Sequence, residues 1–262
     1  MTVKLPIKYV RKDPKLAMLH FSKICFLLLI VAVGCASSRQ HHVPPYSLQK
    51  KEEPSACKPY KMIVIDPGHG GEDFGTHSHV KPRYQEKYLN LTTARMLKGY
   101  LQDLGYQTIM TRDDDKFIPL LTRASFANEQ QSVLFVSVHF NSAPSKEAQG
   151  IEVYFYENDK NKTRVNKSKK LAEQVLKCVI HQTKAKSRGV KHGNFAVIRE
   201  TTMPAILVEG GFLTNEEEMR KIKNPDYLKK LALGMAKGID SYLRIPLQKK
   251  ILTKNNEIKL KK

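Results

Sequence analysis

Long apolar runs are missing from this 262-residue chain: the longest, Ile24 to Val33, is too short for a stable helix across a bilayer. It suits the apolar centre of an export signal, because Lys4, Lys8, Arg11, Lys12, Lys15 and Lys23 precede it. The run leads through Ala32, Val33 and Gly34 to Cys35, a pattern that resembles a bacterial lipobox. Residues 1–34 are therefore expected to be a lipoprotein-type signal peptide, with Cys35 lipidated and holding the protein to a membrane. Cleavage near Ala36, an uncleaved anchor and translation from Met18 are the alternatives. The compartment implied is the cell envelope or periplasm.

Acidic residues are scarce, at 25 against 45 Lys and Arg, which gives a net charge of +20. Without residues 1–34 the balance is 39 basic to 24 acidic, or +15. Such a field favours polyanions: nucleic acid, anionic lipid or a carboxylate-rich wall polymer. An exported protein meets no genomic DNA, so nucleic acid drops out as a partner. Cysteine is equally sparse. Of four, Cys25 leaves with the signal and Cys35 is acylated, so only Cys57 and Cys178 remain to pair in an oxidising compartment. No repeat argues for a solenoid. The glycine turn GHGG lacks the downstream Lys and Ser or Thr of a phosphate loop. Ser-x-x-Lys occurs at Ser47, Ser55 and Ser78, but Lys-Thr-Gly is absent, and a lysine-rich chain produces such matches by chance.

What is present is an alternation of strands and helices between residues 60 and 244. Met62 to Ile65 is an apolar, β-branched run, as in a strand covered on both faces, and it ends in the turn that carries His69. A helix from about Tyr88 to Leu104, a strand at Gln107 to Met110, a helix near Pro119 to Asn128 and a strand at Val133 to Val138 follow. Further strands are expected at Gly150 to Tyr156, Phe195 to Ile198 and Ala205 to Val208. Helices are expected at about Val165 to Gln182, Asn215 to Ile222 and Asp226 to Leu243, with Pro246 stopping the last. The pattern predicts an α/β fold: a single three-layer sandwich whose mostly parallel central sheet, of about six strands, has helices on both faces. Residues 35–59 read as a polar tether. Residues 245–262, with six lysines and one glutamate from Gln248 onward, read as a basic disordered tail.

Three predicted strands end at His69, His139 and Glu209. Two histidines and a carboxylate at one sheet edge are the ligand types of a catalytic zinc site, which keeps a fourth position open. Glu86 suits the third ligand because it follows a loop able to bring it to His69, and no hydrophobic pattern requires it there; His77 and His79 are alternatives. Glu209 follows an apolar run at the rim of the core. Partial desolvation there raises a carboxyl pKa and fits it to take a proton from a metal-activated water and return it to a leaving amine. Arg123 and Asn194 lie near strand ends, where each fits a substrate contact or a structural hydrogen bond.

The phrases VIDPGHGGEDFG, EKYLNL, SVHFNS and RGVKHGNFAVIRETTMPAILVEGGFLTN resemble the zinc-dependent N-acetylmuramoyl-L-alanine amidases of the amidase-3 type, from about Met62 to Leu243. The resemblance implies His69, Glu86 and His139 as ligands of Zn2+ and Glu209 as the catalytic carboxylate. It implies a peptidoglycan or muramyl-peptide substrate, cut at the amide between the lactyl group of N-acetylmuramic acid and L-alanine, in cell-wall remodelling and cell separation. An envelope activator or division protein is a further class of partner. Tyr84 and Gln85 stand where family members often carry glycine. The segment between Ile151 and Arg188 holds one strand, a polar loop and one helix, so the inserted helix that blocks zinc in some envelope members is not expected. A zinc peptidase acting on the stem peptide and a non-catalytic wall-binding protein are the rival readings.

Overall fold

The computed structural model describes residues 61–79, 81–158 and 160–260, with the backbone alone from residue 245 onward. The expected signal segment and tether, with Cys35 and Cys57, lie outside the described residues. Among the described residues no helix is long and apolar enough to cross a membrane. In chain order the elements are β1 (Met62–Pro67), α1 (Glu86–Asp103), β2 (Gln107–Met110), α2 (Leu120–Glu129), β3 (Leu134–Asn141), β4 (Ile151–Phe155), α3 (Lys162–Thr183), β5 (Ser187–His192), α4 (Ala196–Arg199), β6 (Ala205–Phe212), α5 (Glu216–Ile222) and α6 (Pro225–Leu260).

The six strands form one sheet in the order β2-β1-β3-β6-β4-β5. Neighbours run parallel except β4 and β6, which are antiparallel. Strand alternation divides the core. Ile63, Ile65, Val136, Val138, Ile206 and Val208 join α1, α3 and α6 on one face. Val64, Phe135, Ala205 and Leu207 meet α2 and α4 on the other. His139 and Glu209 continue the second set by the two-residue period of a strand, so both emerge on the α2/α4 side at the carboxyl end of the sheet.

Several elements differ from the sequence expectation, and β3 and β6 run on to Asn141 and Phe212, past their expected ends. Phe195 to Ile198 is not a strand: Ala196–Arg199 makes one helical turn that buries Val197 and Ile198 against the sheet. The edge strand is instead Ser187–His192, whose half-buried, mostly polar residues carry little hydrophobic signal. The helix α1 begins at Glu86, two residues early, which puts that carboxylate in the first turn, where the helix dipole favours it. The backbone of α6 stays helical to Leu260, past Pro246 and through the segment read as a disordered tail. Proline there removes one amide donor, aimed at the Tyr242 carbonyl, without ending the helix.

Candidate metal centre and active site

The loop after β1 is shaped from beneath. His69 has φ 61°, left-handed backbone that a non-glycine residue adopts only when its surroundings fix it. Arg123 donates from Nη2 to the His69 carbonyl at 2.8 Å, while Arg112 Nη2 and Asn90 Nδ2 donate to the Gly68 carbonyl at 2.7 and 3.2 Å. Gly68 leaves room for the second histidine, since a Cβ at that position would lie 2.0 Å from the His139 ring.

His69, Glu86 and His139 bring one ligand atom each to within 4.8 Å of one another. Glu86 bridges the pair: Oε2 lies 3.1 Å from His69 Nε2, and Oε1 lies 2.9 Å from His139 Nδ1. Ligand atoms on a tetrahedral zinc ion, with bonds of about 2.1 Å, are separated by roughly 3.4 Å, so the three fit the metal with little adjustment. Thr76 N, Asn90 Nδ2 and Phe140 N also donate to the Glu86 carboxylate, at 2.9, 3.2 and 3.2 Å. Burial pushes its pKa up, but the hydrogen bonds from His139 and His69 outweigh that and hold it ionised, well below the usual carboxylate range.

Behind His69 stands Asp73, with Oδ2 2.7 Å from Nδ1. A carboxylate there sets the tautomer and leaves Nε2 facing the ligand cluster. Replacing Asp73 with alanine is expected to weaken zinc binding about 10- to 100-fold. Competition with a chromophoric chelator measures this, and an unchanged affinity would remove Asp73 from the site.

Glu209 sits in β6 between His139 of β3 and Glu152 of β4, its register partners on either side. The two glutamates have opposite environments. Glu152 accepts from Asn141 Nδ2 at 2.6 Å, Tyr154 Oη at 2.8 Å and Arg188 Nε at 2.9 Å, and also pairs with Lys191. Burial raises its pKa, yet Lys191, Arg188 and Tyr154 bring it below the ordinary value. Glu209 is buried, and its Oε2 has no hydrogen-bond partner in the described structure. Desolvation, followed by the negative charges of Glu86 and Glu152, pushes its pKa well above the ordinary carboxyl value. Two neighbouring carboxyls whose pKa values are driven apart mark out a fixed charge and a proton carrier. His69, Glu86, His139 and Glu209 all line one cleft of about 320 Å³, with Thr76, Leu120, Asn141 and Phe195 among its walls.

Other expected residues fall elsewhere. His77 and His79 are exposed and outside the ligand cluster. Arg123 is only 2% exposed, lines the adjoining cavity, and donates to Asp66, to the Pro67 and His69 carbonyls and to the Ile118 carbonyl, the structural hydrogen bonds that were one of its two expected roles. Asn194 is exposed, absent from the cleft wall, and accepts from Arg199 Nη1 at 2.7 Å. Ser78 is buried, and its hydroxyl accepts from Tyr84 N, so it does not present a nucleophile. Cys178 is an unpaired thiol in the described structure. The sequence reading missed Asp73, Asn90, Arg112 and Glu152. Of these, only Asp73 had a local signal, a carboxylate four residues beyond His69.

The donor set, with a buried carboxyl of raised pKa beside it in one cleft, is of the kind that metal-dependent hydrolases use. The chain belongs to the N-acetylmuramoyl-L-alanine amidase family, whose profile matches residues 63–241. It is 35% identical over 182 residues to YqiI of Bacillus subtilis strain 168, covering 70% of this chain and 84% of YqiI. It is 35% identical over 184 residues to the N-acetylmuramoyl-L-alanine amidase LytC of the same strain, covering 70% of this chain but 36% of LytC. The crystal structure of an N-acetylmuramoyl-L-alanine amidase from Clostridium difficile 630 superposes with a TM-score of 0.67 at 39% identity, covering 72% of this chain and 99% of that one. The family match runs from β1 into α6, and the α/β sandwich expected from the sequence is the fold of these enzymes.

Proposed function

We propose that this chain is an exported, zinc-dependent hydrolase that cuts the amide between the lactyl group of N-acetylmuramic acid and the L-alanine of the stem peptide, in cell-wall remodelling and cell separation. The observation that carries the reading is the placement of an unpaired, buried Glu209 in the same cleft as the His69, Glu86 and His139 cluster. Those three residues would hold zinc, which supplies Lewis acidity toward the carbonyl and toward water. Glu209 carries the proton: its carboxylate takes it from the attacking water, and its carboxyl delivers it to the departing amine. Asp73 keeps Nε2 of His69 directed at the cleft, and the buried ionised Glu86 offsets the metal's charge. Family membership supports the choice of bond. The basic surface and a lipid on Cys35 would keep the enzyme beside its anionic polymer and the membrane.

Metal analysis of the purified chain, before and after dialysis against a chelator, tests the metal assignment. About one zinc per chain is expected, with turnover lost on chelation, regained on adding zinc, and circular dichroism largely unchanged. A fold that collapses with the metal would instead fit a structural site in a wall-binding protein.

A further inference from the structure

We propose that the cleft accepts its substrate in one direction only, with the stem peptide in the lobe that contains Glu209 and the glycan over the lobe walled by Phe117, Ile118 and Leu120. This rests on the amidase reading above. Two adjoining cavities of about 320 and 310 Å³ share His69, Leu120, His139 and Val197, so they are two lobes of one groove that meet at the histidine pair. Glu209 lines the first lobe only, and Phe117 and Ile118 line the second only.

Proton bookkeeping then fixes the direction. In the hydrolysis the oxygen of water bonds to the lactyl carbonyl carbon and the carbon–nitrogen bond breaks. Its electron pair stays on nitrogen, which receives through Glu209 a proton from that water. The products are the lactyl acid and the free L-alanyl amine. The amine side of the scissile bond must therefore face Glu209, so the peptide extends into the first lobe and the sugar that bears the lactyl group extends into the second.

The walls agree with this independently. The second lobe presents Phe117, 46% exposed, and Leu120, 57% exposed. Its cation, Arg123, is buried and has four of its five donors on Asp66 and backbone carbonyls, so its charge is already paired with Asp66. Asp66 and Asp73 also line this lobe. An apolar face flanked by carboxylates suits the C–H face and hydroxyls of a pyranose better than a peptide rich in carboxylates. The first lobe includes Thr76, Asn141 and Ser142, polar side chains suited to the amide groups of a peptide. Of the large exposed apolar side chains of the described residues, Phe117, Leu120 and Phe195 line this groove.

The test compares two substrates with the zinc-loaded chain: a disaccharide-linked stem peptide, and the same peptide carrying only a D-lactyl group. Wild type should show a lower KM for the first. Phe117→Ala should raise that KM about tenfold while changing the lactyl peptide's KM less than about twofold, the worth of one stacked ring. Phe117→Tyr should restore the preference, and Phe195→Ala should affect both substrates alike. Ile118→Ala, in the other side chain that lines the second lobe only, gives the same comparison should Phe117→Ala fail to fold. Equal losses on both substrates in Phe117→Ala, a glycan-selective loss in Phe195→Ala, or no wild-type preference would overturn the direction. Release of no L-alanyl peptide from either substrate by wild type would instead overturn the amidase reading itself.

Discussion

Replacing Glu209 with glutamine is expected to lower kcat about a thousandfold, within the range for loss of a general acid–base group, while raising the melting temperature of the metal-free protein. The two effects share one cause. Glu209 is buried with an unpartnered Oε2, beside the charges of Glu86 and Glu152, and its pKa is raised accordingly. A carboxyl with a raised folded-state pKa contributes most to stability below its unfolded value, about 4.3. That contribution is lost as pH rises toward the folded pKa, because the unfolded chain ionises while the folded chain keeps its proton. Glutamine does not titrate. The variant should therefore gain on wild type as pH rises above about 5, by about 1 kcal/mol, or ~2–4 °C, near neutrality. Thermal melts across pH, run beside turnover assays, read both quantities. An active variant, or one less stable than wild type at pH 7, would contradict the assignment of Glu209.

The second large effect is structural. Arg123→Met should destabilise the fold by about 3–5 kcal/mol, because it strands Asp66, which is 0% exposed, and leaves the Pro67, His69 and Ile118 carbonyls without that donor. Among the described residues, the other side chains that hold Asp66 are Thr111, from Oγ1 at 2.6 Å, and Ser137, from Oγ at 2.8 Å. Burial works to raise its pKa, and Arg123, Thr111 and Ser137 together bring it below the ordinary value. Its contribution to stability is therefore present above the unfolded pKa of about 3.9 and is lost as pH falls below it. In Arg123→Met that acid limb should flatten or reverse, since protonation then relieves a stranded charge. Adding Asp66→Asn should recover part of the loss. Denaturant titrations at pH 7 and pH 4 on the single and double variants measure this, and additive losses would show that the two side chains do not act as a pair.

These contrasts show what the sequence makes legible. Buried parallel strands are continuous apolar runs, so β1, β3 and β6 and the residues just past those runs, His69, His139 and Glu209, can be found without a structure, although β3 and β6 continue to Asn141 and Phe212. Glu86 was harder to fix, because its loop also offers His77 and His79, and only the folded chain puts those two outside the cluster. Edge strand β5 went unseen since Ser-Arg-Gly-Val-Lys-His carries almost no hydrophobic periodicity, while the apolar run Phe195 to Ile198 mimicked a strand and folded as a helical turn. The role of Arg123 was left open between a substrate contact and a structural hydrogen bond for a different reason. Its partner Asp66 lies 57 positions away, and a helical arginine gives no local sign that it is buried. The same distance effect hid Glu152, which matters because β4 runs antiparallel to β6 and so stands beside Glu209.

The most direct measurement is hydrolysis of purified peptidoglycan by the zinc-loaded chain in water enriched in oxygen-18, with both products read by mass spectrometry. The account predicts one heavy oxygen in the lactyl carboxylate of the muramyl product and none in stem peptides that carry a free L-alanine amine. A heavy oxygen at a peptide carboxyl end, with the lactyl amide intact, would contradict it and move the cut to a peptide bond.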